Sequence, residues 1–263
     1  MKMRHITILL VVVLLLGNIA TMQGQSRWRR ALSSAVKTYR ASTITDEELA
    51  EYVSKGVKEM DRKNRVYGPA TTYGKRLARL TMGMNDANGI KLNFKVYKTS
   101  DINAFACPDG SVRVFSSLMD ILSDNELLGV IGHEIGHVAL RHSKKAWRSA
   151  LLRSAGSDAM GAVSTTWARV SDSSLGELTS AALSAKHSRY HETQADDYGY
   201  DFLKKHGRNP WAMGQAFKKL QKLSRQDNSR YAKLLSAFSS HPDFDERIAH
   251  MKERATSDGY VTP

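Results

Sequence analysis

From residue 45 onward, apolar side chains recur at helical spacing. Leu49, Val53, Val57 and Met60 fall on one face of a helix expected over 45–65, and Thr45 with Glu48 three residues on has the form of a capping box at its start. Gly68-Pro69 interrupts the chain, and a second helix is expected over about 70–83. The period then falls to two. Leu92, Phe94 and Val96 alternate with Asn93, Lys95 and Tyr97, the pattern of a half-buried strand. Segments 102–106 and 112–115 read as two more short strands, joined across Pro108-Asp109-Gly110, where Asp-Gly signals a tight turn.

Helical spacing resumes from about residue 117. Ser123 and Glu126 form a second capping box, and Leu127, Leu128, Val130, Ile131, Ile135 and Val138 give the helix that follows a broad apolar face, so it should be deeply buried. Residues 146–186 are rich in Ala and Ser and are interrupted by Gly156, Gly161 and Gly176, which predicts one or two helices and a mobile loop. A helix over about 186–206 should end at Gly207, Asn209-Pro210 should cap and restart another, and a last helix is expected over 243–256. Helices around a few short strands place the chain in the α+β class, mainly α, with no internal repeat.

The first 24 residues follow a different rule. Lys2 and Arg4 precede an almost unbroken Ile, Leu and Val run over 6–16, and small or polar residues follow, which is the layout of a secretory signal peptide. The run is shorter than the roughly 17–25 residues of a spanning helix, so cleavage is the first reading and an uncleaved anchor the second. Residues 25–44 form a basic lead-in, 45–256 a folded domain, and 257–263 a tail. An exported product, periplasmic or extracellular, is expected.

Composition adds constraints. With 263 residues, 41% hydrophobic and 25% charged, the chain can bury a sizeable core. Cys107 stands alone, so an intramolecular disulfide is impossible; it is expected to be a partly covered thiol rather than a nucleophile. The formal net charge of +13 is spread along the chain and accompanies no nucleic-acid module, so a solvated basic surface is expected and nucleic acid is not an expected partner. Peripheral contact with an anionic membrane surface remains open, as does the oligomeric state.

The chemistry is concentrated in His133-Glu134-Ile135-Gly136-His137. Residues four apart share a helix face, so both imidazoles can reach one ion, while Glu134, about 100° round the helix, can address a water on that ion. Zinc accepts imidazole nitrogen and carboxylate oxygen and keeps one position for water at a catalytic site. Burying this polar triplet in an apolar helix would be costly without a purpose. Gly132 and Gly136 weaken the helix and call for close approach of another element. Downstream, Glu192 and Asp196 repeat the four-residue spacing. Glu192 can supply the third ligand and Asp196 can bond the far nitrogen of a zinc histidine. His191 points about 100° away and is left out of the ligand set.

These residues resemble the gluzincin metallopeptidases of the HtpX and CAAX prenyl endopeptidase type, most closely small exported bacterial members with one catalytic domain. Asn103-Ala104-Phe105, the 126–132 run before the motif, and Ser240-His241-Pro242 with Arg247 agree with the same family, so the likeness covers about 45–255. It implies a mainly helical zincin-like domain with a small β-sheet beside the active-site helix, one Zn2+ per chain, and hydrolysis of peptide bonds with Glu134 as general base and a metal-bound water as nucleophile. It also implies that His241 stabilises the oxyanion or rests on the ion as a fourth ligand, that Arg247 supports the same charge, and that Asn103, Ala104 and Phe105 form an edge strand that holds an extended substrate. Extended or misfolded envelope proteins are the implied substrates. Arg189-Tyr190-His191 departs from the family pattern, and the membrane scaffold of the integral members is missing, so prenylated peptides are not expected. Two other readings compete: a zinc-fold chaperone or scaffold without turnover, and a basic membrane-surface binding protein.

Overall fold

Thr45 caps the first helix, α1 (Asp46–Lys63), through the expected reciprocal pair: its side chain accepts from the Glu48 amide at 3.2 Å, and the Glu48 carboxylate accepts from the Thr45 amide at 3.0 Å. The computed structural model describes residues 43–142, 144, 147–149, 187–225, 241 and 243–262. The expected signal peptide, most of the lead-in, Ser240, Pro242 and nearly all of 146–186 lie outside the described residues.

After α1 come β1 (Val66–Tyr67), α2 (Thr72–Leu80), β2 (Asp86–Ala87), β3 (Ile90–Lys91), β4 (Asn93–Tyr97), β5 (Ala104–Ala106) and β6 (Ser111–Phe115). The helices α3 (Ser116–Ile121), α4 (Asp124–Ala139), α5 (Arg189–Lys205), α6 (Ala212–Ser224) and α7 (Phe244–Ser257) follow. Helices dominate and the fold is α+β, mainly α. The main sheet has the order β1-β4-β6-β5, with β4 and β6 parallel and the other pairs antiparallel, so β5 is an edge strand. The β5–β6 hairpin turns at Pro108-Asp109-Gly110, where Gly110 has φ +81° and donates to the Cys107 carbonyl at 2.9 Å. A separate two-stranded ribbon joins β2 and β3.

One face of the sheet carries Val96, Val112 and Val114, which share a core with Leu127, Val130, Ile131 and Ile135 of α4. The other face departs from the alternating pattern. Tyr97, on the polar side by period, is only 1% exposed. The reason is α1, whose Asp61 accepts from the Tyr97 hydroxyl at 2.7 Å, from Lys95 Nζ at 2.7 Å, and from Arg113 Nε and Nη2 at 2.8 and 3.0 Å. A charged side chain on one helix therefore fastens that helix to three strand residues. Cys107 also departs from expectation. It is fully buried rather than partly covered, and burial pushes its thiol well above the ordinary cysteine range.

A second core gathers Leu128, Tyr200, Leu203, Trp211, Met213, Phe217 and Met251 between α4, α5, α6 and α7. The restart after α5 comes later than the proline suggests. Asn209 Oδ1 accepts from the Trp211 amide at 2.9 Å, but Pro210 and Trp211 form a turn and the helix proper begins at Ala212. Among the described residues, no helix is long and apolar enough to cross a membrane.

Candidate active site and metal centre

The centre is set by how closely α4 and α5 approach. A Cβ added at Gly132 would stand 2.7 Å from the Phe202 ring and 3.2 Å from the Gly199 Cα; one added at Gly199 would stand 2.9 Å from the His133 backbone nitrogen. At Gly136 the obstacle is Tyr198, at 3.0 Å. The glycines beside the histidines therefore mark the helix contact, and that contact brings the acids of α5 under the histidines of α4. Glu126 ties the start of α4 to α6 as well, accepting from the Ser123 amide and from Lys219 Nζ, each at 2.7 Å.

His133, His137, Glu192 and His241 converge at this contact. All four are buried, and one ligand-capable atom from each lies within 4.8 Å of the others. His133 Nε2 is 3.0 Å from His137 Nε2 and 3.3 Å from His241 Nδ1. Glu192 oxygens lie 3.4 Å from His137 Nε2, 3.7 Å from His133 Nε2 and 3.0 Å from His241 Nδ1. Tetrahedral zinc with bonds near 2.0–2.1 Å requires ligand atoms about 3.3 Å apart, in the middle of these separations. Aromatic nitrogens this close face each other with lone pairs, a set that suits a shared cation. The donor chemistry, imidazole nitrogen and carboxylate oxygen, fits zinc.

Around the quartet, each partner has a definite role. Asp196, with no exposed surface, accepts from Arg247 Nε at 2.8 Å and Nη2 at 2.6 Å, and its Oδ1 lies 2.8 Å from His133 Nδ1. Arg247 Nη1 also reaches Glu192 Oε2 at 3.1 Å, and the guanidinium lies over the Phe217 ring at 4.1 Å. Burial opposes ionisation of both acids, yet His241 and His137 hold Glu192 well below the usual carboxylate range, and Arg247 lowers Asp196. Burial keeps His137 neutral by pushing its pKa well down, as a metal ligand requires. Burial raises Glu134, whose Oε1 is 3.7 Å from His241 Nε2 and which is not part of the quartet. A carboxylate pushed up in this way beside a cation site is the form a general base takes.

The structure thus brings together Glu134, His133, His137, Glu192, Asp196, His241 and Arg247. His191 stands outside the quartet and stacks on His142, with ring centroids 4.2 Å apart. Ala104 and Phe105 lie in edge strand β5, while Asn103 immediately precedes it and accepts from the Phe115 amide at 3.0 Å. A cleft of about 340 Å³ opens beside His137 and the β5–β6 turn, lined also by Leu49, Ile90, Pro108 and Val138.

Sequence reasoning passed over His142, Gln194 and His187. His142 Nδ1 is 3.1 Å from His137 Nδ1, and His142 Nε2 is 3.2 Å from Gln194 Oε1. His187 stacks on His137 at 4.1 Å, and burial lowers its pKa to about 3. A signal was present: of the nine histidines in the chain, His133, His137, His142, His187, His191 and His241 meet here.

Comparison with known proteins agrees with this geometry. The sequence pattern of Peptidase family M48 matches residues 73–255. Metalloprotease YcaL of Escherichia coli (strain K12) is 41% identical over 228 residues, spanning 86% of this chain and 87% of the relative. Metalloprotease LoiP of the same strain is 35% identical over 264 residues, spanning 98% and 99%. The beta-barrel assembly-enhancing protease of Yersinia pestis is 32% identical over 197 residues, 70% of this chain but 38% of the relative. A buried His-Glu-His-His quartet beside a helix-borne glutamate, with matches of this extent, makes the chain a metalloendopeptidase belonging to Peptidase family M48.

Proposed function

We propose that the protein is a zinc-dependent endopeptidase of the bacterial envelope that cleaves extended or misfolded polypeptides. The observation that carries the zinc assignment is the quartet itself, two imidazoles and a carboxylate held at tetrahedral spacing with a third imidazole against them. His133, His137 and Glu192 would hold one ion per chain, with His241 placed to join them as a fourth ligand when no substrate is bound. When bound, the zinc supplies a Lewis acid that acidifies water and polarises the scissile carbonyl.

The protein's own residues do the rest. Glu134 takes the proton from the attacking water and delivers it to the leaving amine. His241, when turned toward substrate, donates to the developing oxyanion through an N–H. Arg247 fixes Asp196 and Glu192, and so the orientation of His133, through contacts at 2.6–3.1 Å.

The substrate lies along β5. The Asn103 carbonyl and Cys107 amide bond inward to Phe115 and Ser111, so by antiparallel alternation the Ala104 amide and carbonyl face away from β6. An extended peptide added there is held mainly by its backbone, which reads little sequence and suits unfolded chains. The name of the Yersinia pestis relative supports an envelope role, as does the signal-like stretch over residues 1–24, which fits an exported protein, periplasmic or extracellular.

The test is Glu134→Gln, assayed for zinc content by elemental analysis and for casein cleavage. Retained zinc with cleavage reduced at least a hundredfold is expected, since general-base assistance contributes about 10²–10⁴-fold. Cleavage at the wild-type rate would reject Glu134 as base, and a folded wild type without zinc would reject the metal assignment.

A further inference from the structure

We infer that His142, held by Gln194, is the positioning residue that fixes the second metal histidine, His137, as Asp196 fixes His133. The inference rests on the metal reading above. His137 turns Nε2 toward the quartet, 3.0 Å from His133 Nε2 and 3.4 Å from Glu192 Oε1. Its Nδ1 is therefore the nitrogen that carries hydrogen when Nε2 binds a cation, and it points at His142 Nδ1, 3.1 Å away. For that contact to be a hydrogen bond, His142 Nδ1 must be bare. A neutral imidazole then carries its hydrogen on Nε2, which is the atom facing Gln194 Oε1 at 3.2 Å. Gln194 Nε2 in turn donates to the Tyr190 hydroxyl at 3.2 Å, and Tyr190 is 70% exposed. One direction of donation satisfies every atom along the line, from buried ligand to solvent.

The backbone places His142 for this task. The helix α4 ends at Ala139 with Leu140 as its cap, Arg141 adopts φ +60°, and His142, buried, meets His137 in the last turn of that helix. Gln194 comes from α5, two residues after Glu192 and two before Asp196, so one turn of α5 serves both metal histidines and supplies the third ligand. The two supports differ in kind: His133 is braced by a carboxylate that Arg247 balances, whereas His137 is braced by an imidazole and an amide.

The experiment compares wild type, His142→Ala, His142→Asn and Gln194→Leu in zinc affinity, measured by competition with a chromophoric chelator, and in the melting temperature of the metal-free proteins. The Co2+-loaded forms are compared by visible absorption. His142→Ala is expected to weaken zinc binding by about 10–100-fold and to shift the Co2+ bands. His142→Asn, whose carboxamide oxygen can accept from His137 Nδ1, should regain most of that loss, and Gln194→Leu should weaken binding in the same direction. If His142→Ala does not fold, the Asn and Leu variants carry the test. Wild-type zinc affinity and Co2+ bands in the variants, with only the metal-free melting temperature lowered, would overturn the inference and leave the metal reading intact. A wild type that takes up neither ion would overturn the metal reading itself.

Discussion

Gly199→Ala tests whether the active site is built on the contact between α4 and α5. Two effects oppose each other. In a helix interior, alanine is favoured over glycine by about 1 kcal/mol. Against that, the new methyl would stand 2.9 Å from the His133 backbone nitrogen, 3.2 Å from the Gly129 carbonyl oxygen and 2.7 Å from Met213 Sδ. The thioether can turn aside, but the two backbone atoms cannot, so α5 must move off α4 by several tenths of an ångström. Overpacking of this kind costs about 1–3 kcal/mol. With two rigid obstacles the upper end applies, which leaves a net loss of about 2 kcal/mol. The same displacement moves Glu192 and Asp196 away from His133 and His137, and a site that tolerates misplacement of about 0.5 Å should lose at least tenfold in zinc affinity. Urea unfolding of the metal-free protein reads the first effect and chelator competition the second. Gly214→Ala is the control: its methyl meets the Trp211 ring at 2.1 Å rather than α4 or a metal ligand, so it should lower stability and spare zinc affinity. A Gly199→Ala protein as stable as wild type with unchanged zinc affinity would refute the reasoning.

Asp61→Asn should cost about 3 kcal/mol at neutral pH, because Arg113, 2% exposed, loses its ionic partner. Despite its burial, Asp61 is held below the usual carboxylate range by Arg113, Lys95 and Tyr97, so its contribution is complete above about pH 4 and is lost as pH falls through the folded value. The wild-type advantage in urea melts should therefore shrink on acidification; an advantage that grew would refute the sign. Arg247→Met should destabilise the metal-free protein by at least about 3 kcal/mol by leaving Asp196 buried without its guanidinium, and Arg247→Lys should not restore the planar two-bond contact. Chelation should abolish cleavage, added zinc should restore it, and the melting temperature should rise with zinc concentration; cleavage that survives exhaustive chelation would exclude metal catalysis.

Much of the site was legible because its residues obey a local rule. His133 and His137, and then Glu192 and Asp196, are each four apart on a helix, and spacing alone puts each pair on one face. His241 and Arg247 obey no such rule. They come to the centre through α7 and the left-handed turn at Asp243, φ +69°, and only the family resemblance pointed to them. His142 was missed for a similar reason: five residues from His137 is the wrong side of a continuing helix, and it faces inward only because Arg141 breaks the helix first. In the sheet, alternation located β4 but put Tyr97 on the wet side, since periodicity does not reveal that α1 covers that face. The parallel pairing of β4 with β6 around the β5 hairpin is likewise a tertiary outcome that no short window contains.

The buried charges at the centre have a consequence for which ions the protein can accept. Among the described residues, Glu134, Glu192 and Asp196 are buried acids around the ligand set and Arg247 is the buried guanidinium that faces them. With all three acids ionised and His241 neutral, as a metal ligand must be, they leave an excess of two negative charges in a region from which water is largely excluded. A divalent cation cancels that excess; a monovalent one leaves a residue of charge, and a trivalent one reverses its sign. Unbalanced buried charge is expensive, so a divalent ion is expected to be held more tightly than a monovalent or trivalent one on charge alone, in addition to what the bond lengths and coordination number of the four ligand atoms impose.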